Sequence, residues 1–139
     1  MQRFVLHSKI HGARVTEADL NYVGSVTIDT DLLEAVDLAP NEKILVINLE
    51  NGARFESYVF EGVPGSGIIG MNGGTARHCQ VGDRILIMSF ASVDAEEIRQ
   101  HDLVDSDGGV VLPPRDPFGD LLGRLCDGPG LAFRWPGDR

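Results

Sequence analysis

Two cations, a phenol, a glycine-rich turn and a Gly-Ser pair are the residues of this chain whose types and spacing can do chemistry. Arg54 offers a planar fork suited to bidentate binding of a carboxylate, and Lys9 offers a compact point charge. On an ideal strand Arg54 and Tyr58 face the same side, roughly 13 Å apart at Cα, so a small anion could lie between them while Ser57 faces away. The run Asn72-Gly73-Gly74-Thr75 can present backbone N–H groups to a carboxylate or an enolate-like oxygen, because glycine allows close approach. Each has a plainer reading: solvated strand charge for Lys9 and Arg54, a packed strand aromatic for Tyr58, a simple turn for 72–75. Gly24-Ser25 reads most simply as the Gly-X of a type II′ hairpin turn. His7 and His11 have the four-residue spacing of a helical metal pair, but their segment reads as a strand and no acidic or Cys partner matches, so no metal site is expected. His78 and His101 read as surface residues.

The elements that must position these groups are short. Residues 4–10 alternate as a strand, and Thr16, Glu17, Ala18 and Asp19 carry the capping-box spacing of a short helix ending near Asn21. Residues 22–28 are strand-like on both sides of Gly24-Ser25, and Asp31 to Glu34 open a second short helix that Pro40 closes. From 43 to 60, two β-rich runs flank Asn51-Gly52, the strongest short hairpin signal in the chain. A loop at 64–67 leads to a strand at 68–71, and a buried strand follows over 84–90. Several short strands with two small helices predict a mainly β fold, a compact β-barrel. The working domain is expected to span 1–104, with 105–139 a variable, flexible tail: residues 108–139 hold five Pro and seven Gly, and only 121–125 could form a helical turn.

Composition bounds the function. At 139 residues the chain has one domain's worth of core, and with 42% apolar residues and no apolar run near the roughly 20 residues of a membrane span it reads as a soluble protein without a membrane role. The N-terminus lacks the apolar core and cleavage site of a secretory signal, and Cys79 and Cys126 form no disulfide framework, so the cytoplasm is the expected compartment. A net charge of -9 opposes nucleic-acid binding and favours a small molecule or a protein partner.

Taken together, Lys9-Ile10-His11, the 16–20 segment, Tyr22-Val23-Gly24-Ser25, Asn51-Gly52-Ala53-Arg54, Tyr58 and Asn72-Gly73 resemble, in order and spacing, successive motifs of the pyruvoyl-dependent aspartate 1-decarboxylases. The match covers about the first 95 residues. The resemblance implies a six-stranded double-psi β-barrel with short helices. It also implies a precursor that cuts itself between Gly24 and Ser25, into a β chain of residues 1–24 and an α chain of residues 25–139. Ser25 would attack the Gly24 carbonyl to form an ester, and elimination would leave dehydroalanine, which hydrolyses to a covalent pyruvoyl cofactor. Neither metal nor pyridoxal phosphate is implied.

The resemblance further implies decarboxylation of L-aspartate to β-alanine in pantothenate supply, through a Schiff base on the pyruvoyl group, with Tyr58 returning the proton. It assigns Ser57 and His11 to self-processing with Gly24 and Ser25. Lys9, Arg54, Ser57, Asn72, Gly73, Gly74 and Thr75 go to substrate binding. A homotetramer with interfacial sites is implied, and a maturation factor is possible. Ser57 stands where the family has Thr, Gly12 where Arg is common, Asn21 where His is common, and Gly74-Thr75 where Ala-Ala is usual. None removes a reacting group. Two alternatives stay open: the same chemistry on another amino acid in secondary metabolism, and a non-catalytic β-barrel binding protein.

Overall fold

Ten elements make up the chain in a computed structural model that describes residues 1–96 and the backbone of 126–134. They are β1 (Gln2–Arg14), β2 (Glu17–Asp19), β3 (Val26–Asp29), α1 (Thr30–Val36), β4 (Lys43–Asn48), β5 (Arg54–Gly62), β6 (Ile69–Asn72), the 3-10 turn Gly73–Arg77, β7 (Arg84–Asp94) and β8 (Cys126–Arg134). The sheet order is β2-β6-β3-β5-β4-β7-β1-β8. Since β1 and β2 are consecutive, β1 pairing with β7 and β2 with β6 closes the order into a ring of six strand units. At the junction, Val15 and Thr16 donate to Asp83 and Ile69 carbonyls at 3.0 and 2.9 Å. Two pairings, β2–β6 and β3–β5, are parallel and the rest of the ring is antiparallel, so the fold is the small mainly β barrel expected.

Alternation fills the interior. Val26 and Ile28 of β3, Ile44 and Val46 of β4, Val59 of β5, Met71 of β6 and Ile85 and Ile87 of β7 are buried, and α1 caps the core with Leu32, Leu33 and Val36. Asp29 caps α1 by accepting from Asp31 N at 2.9 Å, and its buried carboxylate also accepts from Gly65 and Gly67 N at 3.1 and 2.6 Å, pinning the loop before β6. The helix ends at Asp37 in the left-handed region, with Leu38 N bonded to Leu33 O at 3.0 Å, so a Schellman-type turn closes it before Pro40 is reached.

The structure corrects two local expectations. Residues 16–19 do not form a helix. Thr16 Oγ1 accepts from Ile69 N at 2.9 Å and donates to Ile69 O at 3.2 Å, so the hydroxyl joins the sheet and 17–19 become β2. Closing the ring outweighs a one-turn helix, which is unstable alone. Nor is Gly24-Ser25 a hairpin turn, because β6 lies between β2 and β3. The hairpin expected at Asn51-Gly52 joins β4 to β5, with Gly52 at φ 74°. Of the expected tail, 126–134 form β8, antiparallel to β1 over Ser8 to His11 and at Ala13, while Val104, His101 and residues 121–125 lie outside the described residues. No helix among the described residues is long and apolar enough to cross a membrane.

Candidate active site

The Gly24-Ser25 pair sits where the chain passes from β2 to β3, and both residues have positive φ, 47° and 76°. Glycine adopts this region freely, but for serine it is strained. Ser25 is only 4% exposed, and its Oγ is the one buried side-chain nitrogen or oxygen among the described residues without a hydrogen-bond partner. A buried hydroxyl with no partner carries a desolvation cost of about 1–3 kcal/mol. Such strain and such an unpaired nucleophile together at one residue mark a functional position.

Three strands shape its surroundings. The β3–β5 register pairs Val26 with Val59, so Gly24 and Ser25 lie just beyond the ladder, toward Ser57 and Tyr58. Burial alternates along β5: Val59 is inside, and Arg54, Glu56, Tyr58 and Phe60 are outside. A Cβ built at Gly24 would stand 3.0 Å from the Tyr58 hydroxyl, so the phenol packs this closely over residue 24 only because that residue is glycine. Phe60 holds the Tyr58 ring edge-on, with centroids 5.6 Å apart. Ser57, half-buried, lies on the opposite face from Tyr58, as strand geometry predicts, and pairs with Ile44.

From β6, Asn72 N donates to Ser25 O at 3.0 Å, fixing that carbonyl. Gly73, at φ 60°, brings the turn so close that a Cβ there would meet Tyr22 O at 3.3 Å and Gly24 N at 3.5 Å. Thr75 is buried, and its hydroxyl donates to Asn72 O at 2.9 Å. Gly74 has open space over its α-carbon. Gly24, Ser25, Tyr58, Asn72, Gly73 and Thr75 are thus one cluster on the outer face of β5, β3 and β6.

Lys9, His11 and Arg54 are not part of that cluster in the single chain. Lys9 and His11 point outward from β1, which lies across the ring from β5, and Arg54 is exposed at the far end of β5. Neither the Lys9 nor the Arg54 side chain has a hydrogen bond or ion pair among the described residues. The His11 pKa is depressed, first by partial burial and then by the Lys9 cation. His7 Nε2 donates to the Asp37 backbone carbonyl at 2.9 Å, and no group of three or more His, Cys, Asp or Glu among the described residues is arranged to hold a metal. Sequence reasoning missed Phe60 behind Tyr58 and Thr27, whose Oγ1 accepts from Asn72 Nδ2 at 2.9 Å. Neither carries a motif, and only the β3–β5 and β3–β6 registers reveal them.

The chain is a decarboxylase: it belongs to the aspartate decarboxylase family, whose model matches residues 1–106. Among curated relatives, the aspartate 1-decarboxylase of Listeria monocytogenes serotype 4a is 56% identical over 102 residues, 73% of this chain and 80% of its own. That of Listeria innocua serovar 6a is 55% identical over 102 residues, and that of Staphylococcus aureus strain JH9 is 55% identical over 101, each with the same shares.

Proposed function

We propose that the chain cleaves itself between Gly24 and Ser25, converts Ser25 to a pyruvoyl group, and then decarboxylates L-aspartate to β-alanine and CO₂. The observation that carries this is Ser25 itself, buried, left-handed and with the one buried, unpartnered side-chain polar atom among the described residues. With no partner for its oxygen and a neighbour lacking Cβ, Ser25 Oγ is free to add to the Gly24 carbonyl carbon. The C–N bond then breaks, leaving an ester and a free amine on Ser25. Loss of the Ser25 α-proton and departure of the Gly24 carboxylate give dehydroalanine, and one water in and one ammonia out complete the pyruvoyl group. The closeness of the Tyr58 hydroxyl to Gly24 supports a role as donor to the oxyanion that develops on the Gly24 carbonyl, and the extended register, which sets Ser57 opposite Gly24, supports a part for Ser57 in processing.

The residues present fit the group that Ser25 would become. Ser25 O accepts from Asn72 N–H at 3.0 Å in the intact chain, and that N–H would be the donor to the oxygen that takes up electrons when CO₂ leaves. The pyruvoyl group, once formed, supplies the electron sink for that loss. Tyr58, whose hydroxyl packs over Gly24, is assigned the return of the proton to the substrate α-carbon. The glycine-lined turn 73–75 leaves room for the substrate beside it.

Lys9 and Arg54 are assigned to the two substrate carboxylates, and His11 to the processing region. Their separation from Ser25 in one chain supports a homotetramer in which neighbouring copies complete each site. Leu20, Tyr22 and Val23, apolar and exposed beside Gly24, support burial of that rim in the assembly. The test is a denaturing gel with intact mass, followed by product analysis. Warmed protein should split at 24/25 and the processed form should release β-alanine from aspartate. An intact band unaffected by Ser25→Ala sinks self-processing, and split protein active on glutamate but not aspartate sinks the substrate assignment.

A further inference from the structure

The carboxamide of Asn72 has a fixed orientation, and the residue that fixes it is Thr27. On the outer face of the β3–β6 ladder Thr27 is paired with Gly70, and Asn72 lies two residues further along β6. Gly70 has no side chain, and a Cβ there would already come within 3.4 Å of Thr27 Cβ. Across this gap Asn72 Nδ2 reaches Thr27 Oγ1 at 2.9 Å. The rest of Asn72 is also committed: its N–H to Ser25 O at 3.0 Å and its carbonyl to the Thr75 hydroxyl at 2.9 Å. That leaves Oδ1. It has no hydrogen-bond partner among the described residues, and because Ser25 Oγ is the one buried, unpartnered side-chain polar atom among them, Asn72 Oδ1 is not fully covered by them although the residue is only 6% exposed.

We propose that Thr27 is a positioning residue: by holding Asn72 Nδ2 it turns Oδ1, an acceptor, toward the reacting end of residue 25, where it takes an N–H of the incoming substrate amine. This rests on the reading of Ser25 as the reactive centre. An amine must approach the Ser25 α-carbon with its lone pair forward, so an acceptor on its N–H sets the angle of approach. A freely rotating carboxamide would present its NH₂ donor to that nitrogen half of the time and repel it. Thr75 is a second clasp, acting on the Asn72 backbone instead of its side chain.

The test compares Thr27→Val, which keeps the shape and removes the oxygen, with Thr27→Ser, which restores the oxygen. In processed full-length protein, Thr27→Val is expected to raise KM for aspartate about tenfold, the worth of one hydrogen bond, with kcat changed far less, and Thr27→Ser to return KM near wild type. In uncleaved Ser25→Ala protein, Thr27→Val should also speed exchange of the Asn72 side-chain NH₂ by about tenfold or more, measured by NMR. Unchanged KM in Thr27→Val, or failure of Thr27→Ser to restore it, overturns the proposal, the latter because it shows a packing effect. If wild-type protein releases no β-alanine, the functional reading fails, while the NH₂ exchange still decides whether Thr27 holds Asn72.

Discussion

Replacing Ser25 by glycine and by alanine measures how much strain residue 25 holds. Both variants lack the hydroxyl that the proposed cleavage requires, so both are expected to stay as one intact chain and can be compared at equilibrium. Ser25 sits at φ 76°, where a residue with a Cβ is disfavoured by about 1–2 kcal/mol relative to glycine. Glycine's greater freedom in the unfolded chain returns about 0.5–1 kcal/mol of that. The net expectation is that Ser25→Gly is more stable than Ser25→Ala by about 1 kcal/mol, although at an ordinary position the order is reversed. With a urea m value of about 2 kcal/mol/M, the midpoint should rise by about 0.5 M at unchanged slope. The assay is urea unfolding followed by far-UV circular dichroism at one protomer concentration, because oligomerisation makes stability depend on concentration. If Ser25→Ala is equal to or more stable than Ser25→Gly, then residue 25 is not held in the left-handed region, and the argument that strain prepares the bond for attack fails.

Gly73→Ala places a methyl 3.3 Å from Tyr22 O and 3.5 Å from Gly24 N at a φ of 60°, so it should slow the appearance of the 24/25 fragments on a gel and destabilise the precursor by about 1–2 kcal/mol. Asp29→Ala strips the acceptor from Asp31, Gly65 and Gly67 N in a fully buried place; a loss of about 3 kcal/mol or more in urea unfolding is expected. His11 has its pKa depressed, so the folded chain binds a proton less readily than the unfolded one. Its contribution to stability is therefore complete above 6.5 and lost as pH falls through the folded value. An NMR titration should give a His11 midpoint below 6.5, and Lys9→Met should move it upward.

Much of the site was legible in residue types because the chemistry constrains them. Gly24, Ser25, Tyr58 and Asn72-Gly73 were recognisable as an ordered set, and the structure brings them together: Asn72 N–H bonds Ser25 O, and Tyr58 and Gly73 pack against Gly24. Lys9 and Arg54 were equally legible as anion-binding types, yet one chain does not bring them to Ser25, because the ring sets β1 across from β5, a placement that leaves no local signal. Thr27 and Phe60 were invisible, because each acts through a neighbour on another strand.

Local sequence determined the strands whose apolar residues alternate, the hairpin at Asn51-Gly52, the helix capped by Asp29, and the residue types of the reactive step. Tertiary structure alone decided that 17–19 are a strand, because the Thr16 hydroxyl and backbone find Ile69 across the ring, 53 residues away. It also decided that Gly24-Ser25 is a crossing over β6 and not a turn between paired strands. A hairpin needs only its own two strands, whereas the barrel inserts a distant strand between β2 and β3. That insertion sets Asn72 against the Ser25 carbonyl, while β5 on the other side of β3 brings the Tyr58 hydroxyl over Gly24.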